Sequence, residues 1–321
     1  MRVFVAGASG AIGRPLVPKL IAAGHEVTGM TRSEEKAEAV RAAGARAAIV
    51  DVFDADALRA AMAEATPEVV VHQLTALPER MNFRDKDLYT ATNGLRTEGT
   101  RNLLDGARAA GARRFVAQSI AFAYRNDGSR VKTEDDPLLD SAPGSFEGGV
   151  TALREMEAMV LEADDLDGLV LRYGFFYGPG THYGSDGAIV ADVRRRRMPI
   201  VGKGTGVFSF IHVDDAADAT LAAIERGAAG VYNVTDDEPA AMSEWVPALA
   251  EAAGAKRPLR VPVWLAKLVG GAQAATFASE LRGASNEKAS ESSAGSPRTQ
   301  AGERASRSRS GDLDLGHADP S

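Results

Sequence analysis

Three glycines at a spacing of three, Gly7, Gly10 and Gly13, separate an apolar β-branched run at residues 3–6 from a helical stretch at residues 14–23. That order suits a pyrophosphate. Gly7 permits the tight turn out of the strand, Gly10 lets phosphate oxygens approach the backbone, and Gly13 lets the helix lie close to the strand. The loop residues Ser9, Ala11 and Ile12 then present their N–H groups at the positive end of the helix. Ser119 offers a hydroxyl at the carboxyl end of another apolar run, the edge where open parallel sheets bind ligands. Tyr124 follows it closely and is the nearest candidate proton donor, with Tyr173, Tyr177 and Tyr183 as further phenols. His72 follows a buried run and reads as a hydrogen-bonded structural residue. His182, Asp186 and the Glu pairs show no metal-ligand spacing, so no metal is expected.

These groups need a frame, and the sequence supplies one. Strand-like runs at residues 26–30, 46–50, 68–72, 114–118, 168–172, 207–213 and 230–234 alternate with helical stretches. Ser33 caps one helix and Asp54 another. Longer helices are expected at residues 88–110 and 151–163, and a basic one at 188–197, whose consecutive arginines 194–197 cannot all face one site. Residues 123–149 are polar and rich in Gly, Pro and Asp and read as a loop over the site. The alternation predicts an α/β fold, a doubly wound parallel sheet covered by helices on both faces.

The chain has 321 residues and a formal charge of −7. That balance argues against a nucleic-acid partner. There is no cysteine, which excludes disulfides and thiolate chemistry. No signal peptide and no apolar run of transmembrane length stand out, so no membrane partner and a cytoplasmic location are expected.

Further stretches complete a likeness. They are Asp51-Val52, Val69 to His72, Asn93 through Leu104, Arg114 to Ser119, Leu171 through Gly180, Phe210 to Asp215 and Gly230 to Val234. With the glycine loop they resemble, in order, the extended short-chain dehydrogenase/reductase superfamily, the NAD-dependent epimerase/dehydratase type. The resemblance covers residues 1 to about 289. It implies a Rossmann domain at residues 1–173, to which 207–235 return, and a small substrate-binding part from 174–206 and 236–289. It also implies a small-molecule substrate, a nicotinamide dinucleotide, and a homodimer through helices 88–110 and 151–163.

Within that likeness, Asp51 and Val52 match the contacts to adenine, with a strand-end cap as the alternative reading of Asp51. Asn93 matches an Asn of the long helix that stands near the active site or kinks the helix. No acidic residue ends the second strand. Arg32 occupies its place and suits a 2′-phosphate, which favours NADP over NAD. The family's chemistry uses Ser or Thr with a Tyr and a Lys four residues later. Ser119 matches the first. The other two fall on Gly149 and Leu153, and no Tyr-x-x-x-Lys exists in the chain. The expectation is therefore an NAD(P)-dependent oxidoreductase or epimerase acting on an alcohol/carbonyl pair with Ser119 and a relocated acid, Tyr124 first. The alternative is a non-catalytic NADP-binding sensor or scaffold.

The stretch 290–321 is dominated by Ser, Arg, Gly, Ala and Asp and reads as a disordered tail. The family instead continues with a helix, Leu-Gly-Trp-x-Pro and Pro-Ser-x-Arg-x-Gly. GC-rich codons for residues 289–306, read two bases on, encode Glu-Arg-Glu-Leu-Gly-Trp-Gln-Pro-Ala-His-Pro-Ser-Trp-Arg-Glu-Gly-Phe. A single lost base near codon 289 is thus expected to have produced the tail, and the coding DNA tests it.

Overall fold

Val3 and Val5 point to one face of their strand and Phe4 and Ala6 to the other, and all four are buried. The same split separates Val69 and Val71 from Val70, and Val116 from Phe115 and Ala117. Strands apolar on both faces must be covered on both, which needs helical crossovers between parallel neighbours. The computed structural model, which describes residues 1–293, shows that arrangement.

The first half runs β1 (Arg2–Ala6), α1 (Gly13–Ala22), β2 (Glu26–Thr31), α2 (Glu34–Ala42), β3 (Arg46–Ile49), α3 (Ala55–Ala65), β4 (Val69–His72) and α4 (Thr90–Gly94). A π-helical turn (Leu95–Gly99) leads into α5 (Thr100–Ala109), followed by β5 (Arg114–Ile120), β6 (Val131–Lys132), α6 (Phe146–Leu161) and β7 (Asp167–Tyr173). The second half holds β8 (Phe175–Tyr177), α7 (Ala188–Arg194), β9 (Ile200–Val201), β10 (Val207–Phe208), β11 (Phe210–His212), α8 (Val213–Arg226) and β12 (Gly230–Val234). Then come β13 (Ala240–Ala241), α9 (Met242–Ala252), β14 (Arg260–Val261), α10 (Val263–Gly270), α11 (Ala272–Glu280), β15 (Gly283–Ala284) and α12 (Glu287–Ser293).

Seven strands form one parallel sheet in the order β12-β7-β5-β4-β1-β2-β3. The strand order reverses between β1 and β4, which opens the crevice where such sheets take ligands. Leu16 and Leu20 of α1 and Ala216 and Ile224 of α8 cover one face. Leu58 and Met62 of α3, Leu103 of α5 and Val160 of α6 cover the other. A separate apolar cluster joins Ile200, Phe208, Trp245, Val246 and Leu281, and the short pairs β10–β13 and β9–β14 run through it.

Three helices differ from the sequence expectation. The long helix is interrupted by its π-helical turn, and α6 begins at Phe146 although Gly148 and Gly149 read as loop. Phe146 is 2% exposed and packs on Tyr89 and Phe277, so tertiary packing carries a first turn that propensity disfavours. The basic helix stops at Arg194, and Arg196 turns to φ 55°. Residues 290–293 belong to α12, and the rest of the expected frameshifted tail lies outside the described residues.

Candidate active site and cofactor cradle

The glycine loop leaves β1 at the crevice. Gly7 has φ +97°, and a Cβ there would lie 2.8 Å from the Gln73 carbonyl oxygen. A Cβ on Gly13 would lie 2.2 Å from the Gly7 carbonyl, so the first turn of α1 is pressed onto the loop. The loop is closed by Gly10 N–H donating to Gly7 O at 2.9 Å and Arg14 N–H to Gly10 O at 3.1 Å. The amides of Ala11 and Ile12 donate to no described backbone group. Ser9, Gly10 and Ala11 are half-buried, so the cradle is open on its outer side. These features fit a dinucleotide pyrophosphate: free amides, a helix N-terminus and no side chain in the way.

Arg32 follows β2 at the same edge and is exposed, with no hydrogen bond or ion pair to a described residue. Glu34 is engaged by Arg41 at 2.5 Å, which removes one competitor for the Arg32 guanidinium. Asp51 is exposed after β3 and accepts from the Phe53 amide at 3.1 Å. Val52 is 1% exposed, and its carbonyl accepts from Asn102 at 2.9 Å, which ties this corner to α5.

Ser119 and Tyr124 come together in a buried network. The Ser119 hydroxyl donates to Glu157 at 2.5 Å, and Arg172 grips the same carboxylate through Nε at 2.9 Å and Nη2 at 2.5 Å. Arg172 also donates to the Tyr124 hydroxyl at 3.0 Å, which donates to Asn233 at 2.6 Å. Burial works against the Arg172 charge, yet Glu157 beside it holds the guanidinium above its ordinary range. Burial raises the Tyr124 phenol, with Arg172 opposing. Ser119 is 0% and Tyr124 2% exposed, and both hydroxyls are spent on these partners.

Of the other phenols Tyr173 is buried, while Tyr177 and Tyr183 are half-buried. Tyr173 bonds Thr220 at 2.6 Å, and burial pushes it up to about 12. Tyr183 lies among Phe175, Phe210 and Trp245, and burial raises it too. Tyr177 is raised by burial and by Asp236 and Asp215 nearby. His72 accepts from the Leu74 amide at Nδ1 and faces the Leu95 carbonyl with Nε2 at 3.2 Å. Burial lowers its pKa to about 4, so the imidazole is uncharged at neutral pH. Among the described residues no group of His, Asp or Glu is placed to hold a metal ion.

A different face of α6 meets the strand edge. Ile120, next to Ser119 but pointing the other way, packs with Leu88, Tyr89, Phe146, Val150 and Leu153. Gly149 stands beside Tyr89 and Asn93: a Cβ built there would be 3.8 Å from Tyr89 Cγ and 3.9 Å from Asn93 Oδ1. Asn93 therefore faces α6 and not the glycine loop, and its Oδ1 has no partner. Sequence reasoning passed over Glu157, Arg172 and Arg96, all at most 8% exposed. Charged side chains on strand β7 and on the buried stripe Arg96, Thr100, Leu103, Ala107 were the available signal.

Residues 3–235 match the family described as NAD dependent epimerase/dehydratase family. The chain belongs to that family. A Streptomyces sp protein named 3-diazoavenalumate denitrifying reductase is 45% identical over 290 residues, covering 90% of this chain and 93% of its own. A Stigmatella aurantiaca protein, 4-hydroxy-2-methyl-3-oxo-4-farnesyl-3,4-dihydroquinoline-1-oxide ketoreductase, is 29% identical over 263 residues, covering 80% of this chain and 74% of its own. The Thermus thermophilus UDP-glucose 4-epimerase in complex with NAD superposes with a TM-score of 0.65 at 25% identity, covering 92% and 93% of the two chains. As an epimerase/dehydratase family member, the chain has the oxidoreductase/epimerase class of fold and a nicotinamide dinucleotide as its cofactor type. No described helix is long and apolar enough to cross a membrane.

Proposed function

We propose that this chain is an NADPH-dependent reductase whose substrate takes a hydride without a proton from the protein, and that the substrate class is a diazonium compound. The observation that carries the reading is the face of α6 at the strand edge. Where the family likeness places a Tyr, a Lys and their neighbours, the chain has Gly149, Leu153 and a closed apolar cluster with Ile120. The 45% identity to a diazo-compound denitrifying reductase supports the same class.

When bound, the reduced nicotinamide supplies a hydride: its electron pair forms the new C–H bond, the C–N bond breaks, and the C–N pair leaves with dinitrogen, so atoms and charge balance with no proton consumed. The loop Gly7–Gly13, with Ser9, Ala11 and Ile12, holds the pyrophosphate. Asp51 and Val52 border the adenine, and Arg32 pairs with the 2′-phosphate. Ile120, Phe146 and Leu153 exclude water, which would otherwise attack a diazonium carbon. Ser119 and Tyr124 hold β5 and β7 in register through Glu157, Arg172 and Asn233, a positioning task in place of proton transfer. Residues 1–173 and 207–235 serve as the cofactor half, and 174–206 with 236–289 as the substrate half. A dimer through 88–110 and 151–163 is the assembly to look for by analytical ultracentrifugation.

The test supplies an arenediazonium salt with ring-deuterated NADPH. The expected result is deuterium on the arene carbon and one dinitrogen per cofactor oxidised. Turnover of ketones or nucleotide sugars in its place, lost on Tyr124→Phe, would return the alcohol/carbonyl reading. Cofactor binding with no turnover of either would support the sensor or scaffold.

A further inference from the structure

Phe122 and Phe277 belong to two packing clusters at once. They lie half-buried against the cluster of Ile120 and Phe146 at the strand edge, and against that of Phe208 and Trp245 in the second half of the chain. They therefore mark the seam between the sheet and the smaller part. At that seam the packing is incomplete: Phe122, Phe146 and Phe277 line a cavity of about 160 Å³. Apolar cavities of roughly 150 Å³ admit benzene. The cavity also adjoins the edge where the sheet binds ligands. Phe122 stands two residues past Ile120, and Phe146 heads α6, one turn before Gly149, where the family likeness places its Tyr.

The walls and the rim differ in kind. Phe277 meets Phe146 edge to face at 5.2 Å between ring centroids and Phe122 at 6.3 Å, so the three rings form one continuous aromatic wall. Phe175 holds Phe122 from behind, stacked at 4.0 Å. Such a wall offers ring faces and edges to a further ring and attracts a cation through its quadrupole. The rim is polar: Asn126 and Thr276 are half-buried there, and Glu280 is exposed. The Asn126 amide donates to Glu280 at a long 3.4 Å, and Glu280 forms no ion pair with a described residue. Arg282, close in sequence, donates to the Asn126 carbonyl and does not line the cavity. The rim thus presents a carboxylate, and no lining residue is a cation.

We propose that this cavity seats the aromatic ring of the substrate, and that the ring carries a positive charge or a hydrogen-bond donor toward Glu280. The proposal deepens the reductase reading, on which it rests for the chemistry. An arenediazonium has both features, a flat ring and a positive charge. A ring bearing a carboxylate at that end would meet Glu280 as a like charge.

The probes are benzamidine (a cation at neutral pH), neutral benzamide, benzoate and the saturated cyclohexanecarboxamide, titrated calorimetrically into the full-length chain. Benzamide is expected to bind about two- to tenfold more tightly than cyclohexanecarboxamide, the range of one aromatic contact beyond its buried area. Benzamidine is expected to exceed benzamide by about two- to fivefold and benzoate to fall below it, as for a charge pair open to solvent. Glu280→Gln, at an exposed position that the fold does not depend on, is expected to narrow the gap between benzamidine and benzoate. Thr276→Phe, which fills the cavity from α11 and removes no wall, is expected to abolish binding of every probe. No binding to wild type, equal binding of the saturated probe, or a gap unchanged by Glu280→Gln would overturn the proposal. So would benzamide binding unchanged in Thr276→Phe. Probe binding in this order without dinitrogen release from benzenediazonium would uphold the cavity and sink the reductase reading alone. Dinitrogen release with no probe bound would do the reverse.

Discussion

The two sides of the crevice are built on opposite terms. On the β1–β3 side the cradle is open: a loop with free amides, an exposed Arg32 and an exposed Asp51. On the β5–β7 side the polar groups are either spent on one another, as in Ser119–Glu157–Arg172–Tyr124, or face a helix from which side chains have been removed. The difference teaches that a cofactor site is made by backbone that stays available. A proton-relay site needs particular hydroxyls to stay available, and here those hydroxyls are engaged. Under the proposed reading the open loop serves the cofactor, and the Ser119 and Tyr124 hydroxyls, bonded to Glu157 and Asn233, position strands rather than pass a proton.

The sharpest way to break the cofactor side is Gly13→Val. A side chain 2.2 Å from a backbone carbonyl must push α1 off the loop. The expected cost is above about 4 kcal/mol, with NADPH binding lost, read by melting and fluorescence titration. Breaking the other side is next: Glu157→Gln leaves Arg172 buried and unbalanced, for an expected loss of about 3–5 kcal/mol by denaturant unfolding. Ser119→Ala should cost only about 1 kcal/mol and leave turnover intact. Loss of turnover at unchanged stability would make Ser119 catalytic after all.

Arg32→Ala sharpens the contrast, because it should weaken NADPH by about 1–3 kcal/mol and leave NADH unchanged in the same titration. Asp236 offers a pH test. Burial, with Asp215 and Asp237 nearby, raises it to about 7 from the usual 3.8. Its folded value lies above its unfolded one, so the stability it contributes is full below about pH 4 and lost as pH rises through about 7. Asp236→Asn should therefore melt higher than wild type at about pH 8, by about 1–2 kcal/mol, and show no gain at about pH 4. The smallest effect is Gly149→Ala, expected to stabilise by about 1 kcal/mol, since a Cβ there meets only ordinary contacts.

Much of the sheet was legible because its signals are local. The Val3–Ala6 run, the glycine spacing and the Ser33 and Asp54 caps each act within a few residues, and the Ser33 and Asp54 side chains do accept from Lys36 and Ala57 amides. The start of α6 was not legible. Gly148 and Gly149 carry a loop signal, and only the packing of Phe146 against Tyr89 and Phe277, far away in sequence, overrides it. Arg96 lay hidden for a similar reason. Its helix was evident, but which face of that helix is covered depends on α6 and α11.

By itself the sequence determined the parallel α/β frame, the dinucleotide loop and the absence of a Tyr-x-x-x-Lys pair, since periodicity, glycine spacing and composition are properties of neighbouring residues. Only the tertiary structure decided where the hydroxyls of Ser119 and Tyr124 go. Strand alternation turns Ser119 toward Glu157 and Ile120 toward Leu153, and the partners that engage the hydroxyls arrive from α6, β7 and β12. A side chain's chemistry is set by what desolvates it and what bonds it, and both come from chain segments brought together only on folding.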